Sequence, residues 1–300
     1  MTELSGRTAI VTGGGSGIGR SEALALGREG AHVVVNDLAG PDASGTRPAD
    51  RVVAEVRACG GSAEANYADV ADWEAGAELM DQATSRTGQL DALILNAGFV
   101  RDRTLAKMTG AEWDDVVRVH MRGHFILMRH AAAHWKERSA QAGQPVYGRI
   151  VATSSEAGLF GHAGQINYSA AKGGIAMMTI VAARELGRYG VRANAICPRA
   201  RTAMTIGVVP DIEPVPGRID DWDPDNIAPL VSYLAGPHAD VLNGQIFVVF
   251  GGTVRRMALW SRAGEITSDV PWTQQTLAQR LPELAASSPF ELPSHDALTG

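Results

Sequence analysis

The sequence predicts one α/β domain in which a doubly wound parallel sheet of seven strands carries helices on both faces. Short apolar runs alternate with amphipathic stretches from the start of the chain. Several runs, such as AIV, HVVV and ALIL, are continuously apolar, as strands buried on both faces must be. Regular alternation of strands and helices implies right-handed crossovers, and these make the neighbouring strands parallel.

The individual elements follow from the same patterns in chain order. Strands are expected where aliphatic residues cluster between turn residues, at 8–12, 32–36, 62–67, 90–95, 148–153, 192–197 and 245–249. Helices are expected where apolar residues recur every three or four positions, at 18–29, 49–58, 73–87, 111–138, 168–189 and 226–235. All of these elements lie within residues 1–252, which we predict to form a single domain.

Two segments break the alternation. Residues 199–224 carry Pro210, Pro214 and Pro216 and follow the sixth strand, so they form a long loop at the ligand-binding edge of such a sheet. Loops of that length are typically lids or mobile segments. The second segment, 253–300, contains Trp260, Trp272 and an amphipathic stretch at 274–284. It is either a poorly ordered tail or, as its tryptophans favour, packs on the domain, on a partner subunit or over the substrate entrance.

The composition argues against a nucleic-acid-binding protein, a membrane protein and a metal-binding or disulfide-rich protein. With 45% hydrophobic residues among 300, the chain has enough apolar material for a large core, and its net charge of −6 leaves no basic surface for nucleic acid. No run approaches the roughly 18 apolar residues of a membrane span, and no signal peptide is recognised. Cys59 and Cys197 stand far apart, so we expect free thiols, no metal site and a reducing, cytoplasmic location.

A glycine-rich loop, TGGGSGIG at 12–19, links the first strand to the first helix. Glycine is required where the chain turns sharply and where backbone approaches a pyrophosphate closely. The N-terminus of the helix then offers free N–H groups and a positive dipole end to the phosphates. The context predicts a Rossmann-type dinucleotide site, and the residues expected to contact the cofactor here are Gly13, Ser16, Gly17, Ile18 and Gly19.

Asp37 ends the second strand, 20 residues after Gly17. A carboxylate at this place accepts hydrogen bonds from the adenosine ribose and repels a 2′-phosphate. No arginine or lysine occupies the loop at 14–16 to compensate, so the sequence favours NAD over NADP. The alternative is that Asp37 only caps the end of the strand.

Tyr168 and Lys172 lie four residues apart on a predicted helix, after Ser155 at the end of the fifth strand. That spacing places phenol and ammonium on one face. A free phenol has a pKa of about 10, and a nearby ammonium and an oxidised nicotinamide both favour the phenolate. Ser155 would hold the substrate oxygen. The arrangement predicts proton transfer to or from an oxygen beside a nicotinamide, although a surface Tyr–Lys pair is the alternative.

Taken together, TGGGSGIG, Asp69-Val70, Asn96-Ala97-Gly98, Ser155 and the Tyr168–Lys172 pair resemble the short-chain dehydrogenase/reductase family over roughly residues 5–252. The resemblance implies that Tyr168 is the general acid/base, that Ser155 orients the carbonyl or hydroxyl, and that Lys172 contacts the nicotinamide ribose and lowers the tyrosine pKa. Ser155 is preferred to Ser154 because the family's serine precedes its tyrosine by about 13 residues.

The same resemblance assigns the remaining cofactor contacts. Asp69 and Val70 would border the adenine. The segment Asn96, Ala97 and Gly98 would line the adenosine ribose side of the site. Pro198 and Thr202 would flank the nicotinamide and its carboxamide.

Two departures from the family pattern stand out. The family's fourth catalytic residue is an asparagine, and this chain has His120 in that position; the family's Pro-Gly after strand six is Pro198-Arg199 here. His120 either is a core histidine or uses its imidazole or backbone to hold a water chain to Lys172.

The segments VVVNDL, NAGFVRDRTL, WDDVVRVHMRGHF and TSSEAGLFGHAGQINYSAAKGG are similar to one branch, the (3R)-hydroxyacyl-CoA dehydrogenase domain of the peroxisomal type 2 multifunctional enzymes. This implies NAD-linked interconversion of 3-hydroxyacyl and 3-oxoacyl thioesters in fatty acid metabolism. The main rival is a 3-oxoacyl-carrier-protein reductase, which shares Arg101-Asp102 but commonly uses NADPH. Steroid, terpene or sugar alcohols stay open as substrates, and a non-catalytic dinucleotide sensor is a remote alternative.

The charges of the proposed lid leave binding of a CoA ester undecided. The phosphates of CoA would bind to Arg199, Arg201 and Arg218. The alternative is that this segment forms a solvated acidic surface, since it also contains Asp211, Glu213, Asp220, Asp221 and Asp223. Members of the family usually form dimers or tetramers through the long helices around strand five, so the resemblance also implies a homo-oligomer, with a homotetramer as one form.

Overall fold

A sheet of eight strands forms the centre of the first of two structural units, Met1–Arg256 and Met257–Gly300, in the computed structural model. The structure describes residues 2–205, 217, 219–258 and 260–286. The strands run β1 Thr8–Thr12, β2 His32–Asn36, β3 Ser62–Asn66, β4 Ala92–Leu95, β5 Gly148–Thr153, β6 Val191–Pro198, β7 Ile246–Phe250 and β8 Thr253–Met257. Their order is β3-β2-β1-β4-β5-β6-β7-β8, and all pairings from β3 to β7 are parallel.

The predicted fold class is confirmed, but the predicted number of seven strands is wrong. The eighth strand, β8, follows β7 after the two-residue turn at 251–252, a connection that only antiparallel neighbours allow. Its sequence, TVRRM, carries two arginines and only partly buried or exposed residues. Charged edge strands of this kind are usual in proteins because they resist pairing with other chains, and they give no apolar signal.

Two apolar clusters fill the opposite faces of the sheet. Ala9 and Val11 of β1 point into one cluster with helices α1 Gly17–Arg28 and α2 Pro48–Ala58. Ile10, between them, points into the other cluster. Because successive strand residues face opposite sides, continuous apolar strands are what this double burial requires.

The helices on the second face include α3 Trp73–Ser85, α4 Gly110–Val117, α5 Gly123–Ala142 and α7 Ile166–Leu186, while α8 Ala228–Ala235 contacts α1 on the first face. The single helix expected at 111–138 is divided: the π-helical segment Arg118–Arg122, called the π-turn below, separates α4 from α5. A short helix, α6 Glu156–Phe160, was not predicted.

The second unit contains helix α9 Gln274–Arg280, which Thr273 caps, followed by a 3₁₀ segment, Leu281–Ala286. The amphipathic stretch expected at 274–284 is therefore helical. Within this unit the Arg280 guanidinium lies 5.9 Å from the ring centroid of Trp272. The roles suggested for the tail, and the domain boundary at residue 252, stay predictions.

Part of the predicted lid lies outside the described residues, namely 206–216 and 218 with Pro210, Pro214, Pro216, Asp211, Glu213 and Arg218. Within the described ranges, no helix combines the length and apolar character needed to cross a membrane. The side chains that the structure describes also include no group of three or more His, Cys, Asp or Glu that could hold a metal ion.

Candidate active site

The glycine loop turns tightly because it has no room for side chains. Gly13 has a φ of 62°, and a Cβ there would lie 2.8 Å from the Cα of Ala97. At Gly19 a Cβ would lie 2.2 Å from the carbonyl oxygen of Gly13. The Asn96 amide, at the end of β4, donates to the carbonyls of Thr12 and Gly13, both at 3.2 Å. These contacts fix the loop against the neighbouring strand.

A groove of about 660 Å³ opens beside this loop, at the carboxyl ends of β1, β2 and β4. It has the size of a typical ligand pocket and lies where the strand order reverses direction. Eleven of the predicted cofactor contacts line it: Gly13, Ser16, Gly17, Ile18, Asp37, Asp69, Val70, Asn96, Ala97, Gly98 and Thr202. Gly19 packs beneath the loop, and Pro198 ends β6.

The N-terminus of α1 fits a phosphate. Ser16 occupies the N-cap without capping the helix through its side chain, and no acidic residue stands in the first turn. The N–H groups of this turn are therefore left for an anion, which the helix dipole also favours. This backbone cradle is what a dinucleotide pyrophosphate requires.

Asp37 follows β2, and hydrogen bonds fix its carboxylate at the groove. Its Oδ2 accepts a hydrogen bond from the N–H of Gly15 and its Oδ1 accepts one from Ala39, each at 2.9 Å. Each carboxylate oxygen has a second lone pair, so the same group can also accept from ribose hydroxyls. The strand cap holds the carboxylate at the groove, since Asp37 also lines it.

The side of the groove that Asp69 and Val70 line is tied to the π-turn. Arg118 forms an ion pair with Asp69, and the Nε of Arg122 donates to the carbonyl of Ala71 at 3.0 Å. Gly123 leaves space for Val70, because a Cβ on Gly123 would lie 2.9 Å from its methyl group. Sequence reasoning missed Arg118, since no local pattern links it to Asp69.

Tyr168 and Lys172 occupy the first half of α7 as predicted. The Nζ of Lys172 lies 5.5 Å from the centroid of the Tyr168 ring and donates to the carbonyl of Thr153 at 2.6 Å. Burial lowers the pKa of Lys172 to about 7. Burial also raises the pKa of Tyr168 to about 12, although a hydrogen bond with Ser155 acts in the opposite direction. The expected lowering of the tyrosine pKa is thus not produced by the chain's own residues.

The two neighbouring serines have different partners. Ser155 caps α6, accepting a 3.2 Å hydrogen bond from the N–H of Ala157, and also hydrogen-bonds with Tyr168. Ser154 is buried, and its hydroxyl donates to the carbonyl of Lys172 at 2.8 Å. The geometry therefore supports Ser155 as the serine that faces the tyrosine.

His120 lies buried in the π-turn, and its ring meets that of Tyr168 edge-on at a centroid distance of 5.3 Å. Its Nε2 lies 2.7 Å from the carbonyl of Phe99, while its Nδ1 has no hydrogen-bond partner among the described residues. Burial, assisted by the charge of Lys172, holds the pKa of His120 well below its usual value. The imidazole is therefore neutral. Its Nε2 lies within hydrogen-bonding distance of both the carbonyl and the N–H of Phe99, at 2.7 and 3.1 Å, so these contacts fit either tautomer.

One residue that the sequence analysis did not assign, Asn167, also holds the cluster. Asn167 is buried, and its side-chain amide donates to the carbonyls of Arg101 and Glu112 at 3.0 and 2.9 Å. Its Oδ1 accepts from the N–H of Tyr168 at 2.7 Å. The residue thus joins the loop after β4 and helix α4 to the start of α7. Asn167 stands just before the helix predicted at 168–189, and its partners lie 66 and 55 residues away, so no local pattern marks it.

Two arginines in the loop after β6 form ion pairs with carboxylates. Arg199 forms two hydrogen bonds with the buried Glu156, at 2.6 and 2.8 Å. Arg201 likewise forms two with Asp220, at 2.9 and 3.1 Å. The departure from the family pattern at Arg199 therefore creates an ion pair beside Ser155.

Comparisons with known proteins agree with this geometry. The family model described as short chain dehydrogenase matches residues 7–212. Hydroxyacyl-CoA dehydrogenase ChsB1 of Mycobacterium tuberculosis is 50% identical over 258 residues, covering 84% of this chain and 80% of that protein. The peroxisomal multifunctional enzyme type 2 of Mus musculus is 39% identical over 86% of this chain, which corresponds to only 33% of that longer enzyme.

Among solved structures, the crystal structure of a short chain dehydrogenase from Mycobacterium avium matches with a TM-score of 0.85 and 43% identity. The match covers 95% of this chain and 96% of that protein. It therefore extends over nearly the whole length of both chains.

Proposed function

Because the chain belongs to the short-chain dehydrogenase family, an oxidoreductase family acting on CH–OH groups, we propose that it interconverts 3-hydroxyacyl and 3-oxoacyl thioesters of CoA with NAD. The observation that carries the proposal is the placement of Tyr168, Ser155 and Lys172 together at the carboxyl edge that also bears a dinucleotide-sized groove. The similarity to a hydroxyacyl-CoA dehydrogenase supports the thioester substrate.

In the oxidation direction, Tyr168 accepts the proton of the substrate hydroxyl, while Ser155 holds the same oxygen. Bound NAD supplies the acceptor for the hydride and a positive charge beside the phenol. That charge is needed, because burial alone leaves the pKa of Tyr168 at about 12. In the reduction direction, the same phenol returns its proton to the forming alkoxide.

Lys172 supports this chemistry from a fixed place. Its contact with the Thr153 carbonyl orients the ammonium, and a ribose hydroxyl of bound NAD would add a second partner. The His120 ring meets that of Tyr168, and its Nδ1 has no partner among the described residues, which suits hydrogen bonding to a water that carries the proton onward. We propose Ser155, Tyr168, Lys172 and His120 as the catalytic set.

The choice of NAD follows from Asp37. Its carboxylate lines the groove and is fixed by Gly15 and Ala39, so a 2′-phosphate would meet a held negative charge. The cytoplasmic location and the assembly into dimers or tetramers stay predictions from the sequence.

The test is the initial rate of acetoacetyl-CoA reduction by the purified protein, measured with NADH and with NADPH at equal concentrations. Rapid oxidation of NADH alone supports both the thioester and the cofactor. Rapid oxidation of NADPH alone contradicts the role of Asp37 and favours a carrier-protein reductase. Binding of NADH without turnover of the thioester would leave another secondary alcohol as the substrate.

A further inference from the structure

The arginines around the active site differ in whether a carboxylate neutralises them. Four of them form ion pairs: Arg103 with Glu112, Arg118 with Asp69, Arg199 with Glu156 and Arg201 with Asp220. Arg101 has no carboxylate partner among the described residues. Its guanidinium donates to the carbonyl of Val100 at 3.2 Å and lies 4.7 Å from the ring centroid of Phe99.

The backbone around Arg101 is held against the segment that leads into the catalytic helix. Its carbonyl accepts the 3.0 Å hydrogen bond from Asn167. Asp102 accepts a 2.9 Å hydrogen bond from the side chain of Gln165, and the N–H of Arg103 donates to the carbonyl of Gly164 at 2.8 Å. Residues 101–103 are therefore all hydrogen-bonded to the segment 164–167, which directly precedes Tyr168. The side chain of Arg101 nevertheless stays exposed.

This combination is suited to an anion. The guanidinium of an exposed arginine without a carboxylate partner can donate two parallel hydrogen bonds to a phosphate. Because this guanidinium already rests on an aromatic ring, it loses little conformational freedom when a phosphate binds. Phe99, on which it rests, lines the groove, and its ring lies 6.3 Å from that of His120, which in turn meets Tyr168. The paired arginines nearby would each have to leave a carboxylate first.

We propose that Arg101 binds the phosphate at the far end of the pantetheine arm of the thioester substrate. The inference rests on the proposed function, and it replaces Arg199 and Arg201 as the phosphate ligands. The phosphate could belong to CoA or to the prosthetic arm of a carrier protein. Both sources offer the same phosphate to a guanidinium. Comparing acetoacetyl-CoA with an acetoacetyl carrier protein as substrates distinguishes the two sources.

The experiment compares Arg101→Ala with the unmodified protein on acetoacetyl-CoA and on acetoacetyl-pantetheine, which has the same arm without phosphate. We expect KM for acetoacetyl-CoA to rise about tenfold, or about 1.4 kcal/mol, with kcat within about twofold. KM for acetoacetyl-pantetheine should not change. Arg101→Lys should give an intermediate KM for acetoacetyl-CoA, because it keeps the positive charge but loses the two parallel N–H donors of the guanidinium.

Lys107 provides a matched control. It is an exposed cation six residues further along the same loop, in the 3₁₀ turn Leu105–Lys107. Lys107→Ala removes one positive charge from this surface and should leave both KM values unchanged. An equal rise for Lys107→Ala would mean that only the general charge of the loop matters, and it would overturn the assignment.

The outcomes separate the inference from the function beneath it. If the unmodified protein reduces neither thioester, the proposed function fails and the Arg101 assignment falls with it. If both are reduced and Arg101→Ala raises the two KM values alike, or changes neither of them nor the KM for an acetoacetyl carrier protein, only the assignment fails. An effect seen with an acetoacetyl carrier protein but not with acetoacetyl-CoA supports Arg101 as the phosphate ligand and identifies the protein carrier as its source.

Discussion

The dinucleotide groove is built largely from backbone, whereas the neighbouring cluster, Ser155, Tyr168, Lys172 and His120, for which we propose proton transfer, is built from side chains. In the groove, glycines are needed because a Cβ at Gly13 or Gly19 would collide with backbone atoms. In the cluster, burial changes the chemistry of the groups, raising the pKa of Tyr168 and lowering that of Lys172. The groove should therefore be sensitive to added atoms, and the cluster to the loss of a single functional group.

The strongest test of this difference removes one oxygen from the cluster. Tyr168→Phe should lower kcat by about 10³-fold or more, because the acid/base is lost while the ring is kept. NADH affinity should remain within about threefold, measured by fluorescence titration, since the groove is unchanged. Retained turnover would contradict the role of Tyr168, and lost NADH binding would show that the two regions are not separate.

The next largest effect is expected from the ion pair that holds the start of α6. Arg199→Gly restores the family's residue but leaves Glu156 buried and unpaired, so the free energy of unfolding should fall by about 3–5 kcal/mol. The double variant Glu156→Gln/Arg199→Gly should recover much of this loss in chemical denaturation. Equal losses in the single and double variants would show that the charge of Glu156 is not the cause.

A buried acid in α1 provides a test of the groove's scaffold. The carboxylate oxygens of Glu22 are buried and have no hydrogen-bond partner among the described residues, and burial raises the pKa to about 8. The folded protein keeps this proton up to about pH 8, whereas the unfolded chain loses it above about pH 4.5. Stability should therefore fall as pH rises through this window.

Glu22→Gln does not titrate, so it should be more stable than the unmodified protein by roughly 3 kcal/mol at pH 7, and by little at pH 4.5. Thermal unfolding at both pH values measures the difference. NADH affinity should stay unchanged, because Glu22 does not line the groove. A stability gain of the same size at both pH values would contradict the titration.

The smallest expected effect concerns the backbone of the groove itself. Gly13→Ala places a side chain in a left-handed conformation and against Ala97, which should cost about 1–3 kcal/mol in NADH binding or folding. Gly40→Ala is the control, since a Cβ at Gly40 has no atom within 4 Å. If both substitutions have the same small effect on the Kd for NADH, the groove does not depend on the absence of a side chain.

Local patterns predicted most of the fold but failed where an element depends on its surroundings. Apolar runs located central strands such as β1, β2 and β4, since a strand buried on both faces must be apolar throughout. Strand β3, SAEAN, lies at the edge of the sheet and has only one buried residue. The π-turn was missed, because the apolar spacing around Arg118–Arg122 continues through it while the backbone hydrogen bonding changes. That change places His120 against Gly98, where a Cβ would lie 2.0 Å from the imidazole.

The sequence by itself determined the features that depend on residues close together in the chain. These are the glycine loop with its helix, the carboxylate of Asp37 at the end of β2, and the four-residue spacing of Tyr168 and Lys172. Each follows from backbone geometry or helical periodicity, which a few neighbouring residues specify.

Only the tertiary structure decided which groups are buried and which charges are paired. Arg199 meets Glu156 across 43 residues and Arg118 meets Asp69 across 49, whereas Arg101 meets no carboxylate within the part of the chain that the structure describes. Such pairs, and the pKa values that burial sets, depend on distances between segments remote in sequence. Those distances exist only once the sheet has assembled its loops at one edge.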